Sequence, residues 1–310
     1  MTTHQTAKTN YVPYRDGKIA YRRFGAPSGV PLVFFIHFRG TMDKWDPLLI
    51  NNIAASRPVI LVDYAGVGQS TGVVANNFRE WADDMLEFLS LIDVKEVDLL
   101  GFSLGGFVAE LVTLNADPNK LKVRKLILVG TAASAGPGIE KTPNDYIPYA
   151  AAADADLASM KVLFFPQNPV GEKAAEEWYA RIQERNESTS GEVPSGWLSE
   201  GYKDGGAGLK AQADALEKWG NPETSRGLEG SYDRLEQIDI PVLIANGSVS
   251  DHASKTKHIF KHELVTSANK NLSERLHDPD CQLVQHSAEA AQCYATRLPK
   301  QRPCIPLPVR

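Results

Sequence analysis

The segment Gly101-Phe102-Ser103-Leu104-Gly105-Gly106 places a serine between two glycines, each two residues away. Residues 96–100 before it (Glu-Val-Asp-Leu-Leu) read as a short buried strand, and residues 107–115 after it as a helix with one apolar face. A serine on so sharp a strand-to-helix turn is a nucleophile elbow: the glycines avoid Cβ clashes, and the turn lifts the hydroxyl clear of the sheet. A serine hydroxyl is a weak nucleophile at neutral pH. It needs a base within hydrogen-bond reach, an acid to orient that base, and donors for the oxyanion. One donor is expected at the backbone N–H of Leu104, directly after the serine. The second is expected in His37-Phe38-Arg39-Gly40, at Phe38 or Arg39. Losing one such donor costs about 10²–10³ in rate. His37 precedes the serine and sits at the donor position, so it reads as loop support rather than as the base.

These groups need a frame. Residues 18–24, 32–37, 59–62, 125–129 and 240–245 read as strands, and the run Leu-Val-Phe-Phe-Ile-His from Leu32 is apolar as in a sheet covered on both faces. Residues 78–91 read as a helix with Trp81, Met85, Phe88 and Leu91 toward the core. Strands alternating with helices predict an α/β class with a mainly parallel sheet. Gly66-Val67-Gly68 suggests dinucleotide binding, but the third glycine of that pattern would fall at Thr71, and a turn at the sheet edge is the better reading. Strand-like runs vanish over residues 135–235, where charged helical stretches alternate with aromatics. This predicts a core of residues 1–134 and 236–248, with a helical cap at 135–235 that shapes a pocket.

Composition narrows the partners. At 310 residues the chain can bury roughly three-quarters of its unfolded surface. A net charge of −5 gives no basis for nucleic acid or an anionic membrane as partner. No apolar run is long enough to span a bilayer, and the polar first ten residues lack a signal-peptide core, so a cytoplasmic location is expected. No cofactor or metal site is read. The expected partner is a small-molecule substrate, and the oligomeric state is unreadable. All three cysteines, Cys281, Cys293 and Cys304, lie in the last thirty residues, with no zinc spacing.

The chain resembles the α/β-hydrolase superfamily of the type common among fungal enzymes. The resemblance is carried by His37-Phe38-Arg39-Gly40-Thr41-Met42-Asp43-Lys44-Trp45-Asp46-Pro47, by Asp63-Tyr64-Ala65-Gly66-Val67-Gly68-Gln69-Ser70, by the turn at Ser103, and by Pro241-Val242-Leu243-Ile244-Ala245-Asn246-Gly247. It implies the α/β-hydrolase fold and Ser-Asp-His chemistry on an ester, thioester, lactone or related carbonyl compound. It also points to cofactor-free haloperoxidases, C–C-bond hydrolases and secondary metabolism. A non-catalytic binding protein on the same fold is the rival from another class.

The resemblance stops after Gly247. The family pattern continues with an acidic loop, a last strand, a Ser-Gly-His turn carrying the base, and a closing helix. Here Ser250 stands where the acid is expected, Asp251 is one residue late, and no later histidine follows a strand-like run. The missing motif emerges in another frame. Allowed codons for residues 293–310, read one base later, give ATLLVYPNSGHASLFQF, and the same shift at residues 274–283 gives NDFMIPTVNS. Val249-Ser250 can be encoded by GTAAGT, a splice donor, and Ala268-Asn269 by GCTAAC, a branch point. Ser273 plus one base can end in CAG. Residues 249–310 are therefore read as a retained intron followed by an out-of-frame exon, an aberrant or disordered tail in place of the C-terminal strand and helix. The chain as written is expected to have little activity.

Overall fold

The computed structural model describes residues 2–139 and 145–246. Asp251 and the predicted tail at 249–310 lie outside these described residues. Within them, seven strands form one sheet: β1 (Asn10–Tyr14), β2 (Gly17–Gly25), β3 (Leu32–Phe35), β4 (Pro58–Val62), β5 (Glu96–Phe102), β6 (Lys122–Val129) and β7 (Val242–Ala245), in the order β1-β2-β4-β3-β5-β6-β7. The β1–β2 and β2–β4 pairs are antiparallel; the rest are parallel. All four residues of β3 are buried, which explains its unbroken apolar run. Ile36 and His37, expected to extend this strand, already belong to the loop after it. β1 was not legible, because its alternation carries Pro13 and mostly exposed residues, the composition of an edge strand.

The helices α1 (Pro47–Ala54), α2 (Phe78–Leu91) and α3 (Leu104–Asn115) connect these strands. Asn77 caps α2 by accepting the Glu80 N–H, which fixes where the helix begins. Phe78, Trp81, Met85 and Phe88 face the core as their spacing requires. Leu91 does not: it is exposed, and Leu89 takes the buried place in the last turn. Between β6 and β7 the chain leaves the sheet and forms α4 (Ile147–Ala150), α5 (Leu157–Phe164), α6 (Pro169–Arg181), α7 (Glu187–Ser190) and α8 (Ala207–Trp219). This helical insert leaves and rejoins the core at a buried serine pair. The Ser134 N–H donates to the Ser231 hydroxyl, and the Ser134 hydroxyl accepts the Ser231 N–H, each at 3.0 Å.

The order β4-β3-β5 places successive crossovers on opposite sides of β3. Loops leaving β3 and β5 therefore diverge, and a crevice opens at their carboxyl ends. Ser103 is the first residue beyond β5 and lies at that crevice.

The Gly66-Val67-Gly68 segment is a turn at the end of β4. Gly66 and Gly68 have φ of +73° and +57°, and a Cβ at Gly68 would fall on the Asp63 carboxylate. That carboxylate accepts the Met42 N–H at 2.7 Å and the Gln69 N–H at 2.9 Å, so it fills the turn that a dinucleotide reading needs open. Burial pushes Asp63 up to about 7 against the pull of these two donors. The folded state thus holds the proton more tightly than the unfolded chain. Its contribution to stability is complete below the ordinary aspartate range and is lost as pH rises through about 7. Urea midpoints are expected to fall between pH 4.5 and 7.5, and Asp63→Asn should flatten that slope; an unchanged slope would refute the assignment.

Candidate functional site

Ser103 takes φ +53° and ψ −122° at the N-cap of α3. This conformation is costly for a residue with a Cβ, by about 1–3 kcal/mol, and persists only where surrounding structure imposes it. Here the constraints are visible. The Ser103 N–H donates to the Val129 carbonyl of β6, and its own carbonyl accepts from the Thr131 hydroxyl at 2.7 Å and the Gly106 N–H at 2.8 Å. The flanking glycines answer to close approach. A Cβ at Gly105 would collide with the Phe35 carbonyl, one at Gly106 with Thr131, and one at Gly101 with the first turn of α3. The turn is thereby wedged between the ends of β3, β5 and β6. Thr131 was missed from sequence; its only signal is its place in the loop after a buried strand.

The Leu104 N–H is the first of α3 and has no acceptor among the described residues, as expected at a helix N-terminus. The helix dipole adds partial positive charge there. The second expected donor can now be narrowed. The Arg39 N–H donates to the Gln212 side-chain oxygen of α8 at 2.8 Å, whereas the Phe38 N–H has no acceptor among the described residues. His37 is buried, and its Nδ1 lies 2.9 Å from the Phe38 carbonyl oxygen. Its ring packs against Phe102, Phe164 and Trp197, with centroids 5.2, 5.0 and 5.7 Å away. Burial pushes the imidazole down to about 4, against the Phe38 carbonyl, so it is neutral at physiological pH.

The other described histidine, His4, is buried beside the Met42 carbonyl oxygen, and burial also lowers it to about 4. The Ser103 hydroxyl makes no hydrogen bond to a described residue. Neither described histidine is bonded to it, and Asp251, expected as a weak candidate acid, lies outside the described residues. The site as described is therefore a strained serine, two free amides and an aromatic wall formed by His37, Phe102, Phe164 and Trp197.

A family model for the alpha/beta hydrolase fold matches residues 31–281. A proline iminopeptidase from Lacticaseibacillus rhamnosus is similar at 26% identity over 133 residues, 41% of this chain. That match spans 44% of the iminopeptidase, less than half of its length. A non-heme chloroperoxidase from Streptomyces lividans is 24% identical over 263 residues, covering 81% of this chain and 88% of its own. Among solved structures, an alpha/beta hydrolase fold protein from Chitinophaga pinensis superposes with a TM-score of 0.69 at 28% identity, covering 84% of this chain and 87% of that one.

Proposed function

Because the chain belongs to the α/β-hydrolase-fold family, we propose that its gene encodes a serine hydrolase acting on an ester, thioester, lactone or related carbonyl substrate. The observation that carries this reading is the backbone of Ser103: a non-glycine residue held at φ +53° between a strand and a helix N-terminus. Strain of this kind clusters where a side chain must be presented. In the proposed reaction the Ser103 hydroxyl attacks the substrate carbonyl and gives its proton to a histidine. The tetrahedral oxyanion then accepts hydrogen bonds from the N–H groups of Leu104 and Phe38. Collapse expels the leaving group, which takes the proton back, and water repeats the sequence to release the acid. His37 serves this chemistry from behind, by holding the Phe38 peptide.

The base and acid are assigned to the spliced, in-frame C-terminus, in the Ser-Gly-His turn and the acidic loop of NDFMIPTVNS. Asp251 is the acid candidate in the unspliced chain. The helical insert acts as a cap, and its aromatic wall favours a substrate with an apolar group next to the carbonyl.

Ser103→Ala in the spliced product is expected to lower p-nitrophenyl ester turnover by about 10⁶ while leaving the fold intact. Undiminished turnover would remove Ser103 from the mechanism. Retained binding of a substrate with no turnover in either protein would favour the non-catalytic reading. The similarity to a chloroperoxidase over 81% of the chain favours one further activity. On the same serine, acetate and hydrogen peroxide would give peracetate and water, and peracetate would oxidise bromide. Bromination of monochlorodimedone in that mixture, lost in Ser103→Ala, tests it.

A further inference from the structure

Arg39 is the one residue of the loop after β3 whose every polar group is committed to the helical insert. Its N–H donates to the Gln212 side-chain oxygen at 2.8 Å, and its carbonyl accepts the Leu198 N–H at 2.9 Å. The guanidinium donates to five backbone carbonyls: Nε to Leu198 at 2.9 Å, Nη1 to Ala152 at 2.5 Å and Ala150 at 3.3 Å, and Nη2 to Ala153 at 3.1 Å and Ser199 at 3.5 Å. A guanidinium has five N–H donors in a fixed planar fork, and here there are five acceptors. No carboxylate forms an ion pair with it among the described residues, and it is 2% exposed. A buried cation is costly unless its donors are satisfied, so the carbonyl cage is a strong constraint on where these segments sit. Two stretches of the insert converge on the side chain, the end of α4 with the residues after it and the Leu198–Ser199 bend, and α8 holds the backbone N–H through Gln212.

The backbone of Arg39 is itself held in the left-handed region, at φ +62°. Such a conformation in a non-glycine residue persists only where its surroundings hold it; here these are the turn closed by the Gly40 N–H to the His37 carbonyl at 3.0 Å, and the bonds to the insert. Phe38 lies between two fixed neighbours, His37 jammed among the rings and Arg39 locked to the insert.

We propose that Arg39 is a positioning residue that ties the loop carrying the Phe38 amide to the cap, so that the seating of the cap sets the direction of that donor. This rests on the serine-hydrolase reading for its catalytic meaning, but not for its geometry. The physical consequence is a coupling: a cap displaced from Arg39 leaves only the loop's own His37–Gly40 turn bond to hold φ +62°, and the aim of the second oxyanion donor loosens with it. The site is then complete only with the cap seated, so the oxyanion donors come together only when the crevice is covered.

The test is hydrogen–deuterium exchange on the full 310-residue chain, read on peptides covering residues 37–41, 150–153 and 197–199. Gln212→Leu removes the acceptor of the Arg39 N–H alone, and exchange within 37–41 should rise about tenfold, the size of one buried hydrogen bond. Arg39→Gly should raise exchange in all three segments while α2 and β5 stay protected. Millimolar guanidinium should restore the protection, since it can refill the carbonyl cage. Unchanged exchange at 37–41 in Gln212→Leu overturns the proposal. So does loosening in Arg39→Gly that spreads to α2 and β5 or resists guanidinium, because Arg39 would then be a structural residue only. Ser103-dependent ester turnover is read separately on the spliced product: its absence sinks the hydrolase reading and leaves the tether standing, whereas turnover with no segment-specific loosening does the reverse.

Discussion

Sequencing the transcript across the codons from Asn246 to Ser287 is expected to reveal a spliced message lacking codons 249–273 and one further base. Its product should hydrolyse esters about 10⁶ times faster than the 310-residue chain, the factor that loss of a triad base costs. The structure sharpens the expectation from its own side. Ser103 is held at φ +53° between strand and helix, and its hydroxyl has no hydrogen-bond partner among the described residues. His37 cannot be the missing base without leaving the rings and the Phe38 carbonyl that hold it. His4 is committed beside Met42. The spliced product would also supply a strand beyond β7, which among the described residues pairs with β6 alone. A β7 edge left without that strand would invite association between chains. The spliced product should therefore remain monodisperse at concentrations where the 310-residue chain aggregates. Finding only the unspliced message, or equal turnover by the two proteins, would sink the frame-shift reading.

The second large effect is on stability. Asp43→Ala is expected to cost about 3–5 kcal/mol, because it removes the shared partner of two buried cations. The Asp43 carboxylate lies 2.6 Å from Arg22 of β2 and 3.1 Å from Arg185 of the insert, and accepts the Ser195 N–H at 2.8 Å. Arg22 and Arg185 are both fully buried. Arg185 keeps Glu192 at 2.6 Å and the carbonyls of His4, Gln5 and Ala7, but Arg22 loses the only carboxylate it pairs with among the described residues. The damage should reach three places at once: the sheet, the insert, and the N-terminal segment strapped across both. A drop in Tm of about 10 °C follows for a domain of this size. Lys95→Ala, which breaks an ion pair exposed on both sides, should shift Tm by about a degree at most. Similar shifts in the two variants would show that the cluster is not the fastener the geometry describes.

The acid limb follows the same residue. Burial by itself would raise the Asp43 carboxyl, but the Arg22 charge and hydrogen bond, the Ser195 N–H and Arg185 together hold it below the ordinary range. Its stabilisation is present above the unfolded aspartate value of about 3.9 and fades as pH falls through the lower folded one. Asp63 acts with the opposite sign and at higher pH. The two variants therefore separate the limbs of the stability profile.

How much of this was written in the chain can be argued residue by residue. The turn at Ser103 was legible because its demands are local. A backbone at positive φ, a glycine that Phe35 crowds and a glycine that Thr131 crowds are each satisfied by one residue type at one spacing. The buried strands were legible because their runs are mainly apolar, as in β3 and β4, although β5 also buries Asp98 against Arg57. Leu91 was misplaced because periodicity gives the face of a helix but not where its neighbour ends.

Asp43, Arg22 and Arg185 could not be joined by any local rule, since they lie 21 and 142 positions apart in the chain. The same holds for Arg39. In sequence it was one of two residues whose amide could serve the oxyanion; the folded insert brings Gln212 to the Arg39 amide, while the Phe38 amide has no acceptor among the described residues. The strand-to-helix turn at Ser103 and the helix after it followed from sequence because the glycine spacing and the apolar pattern around them are local. The commitment of the Arg39 amide, the neutral state of His37 and the anchoring of the insert belong to tertiary structure. Each depends on burial and on partners brought from far along the chain, where water is excluded and an unsatisfied polar group is costly.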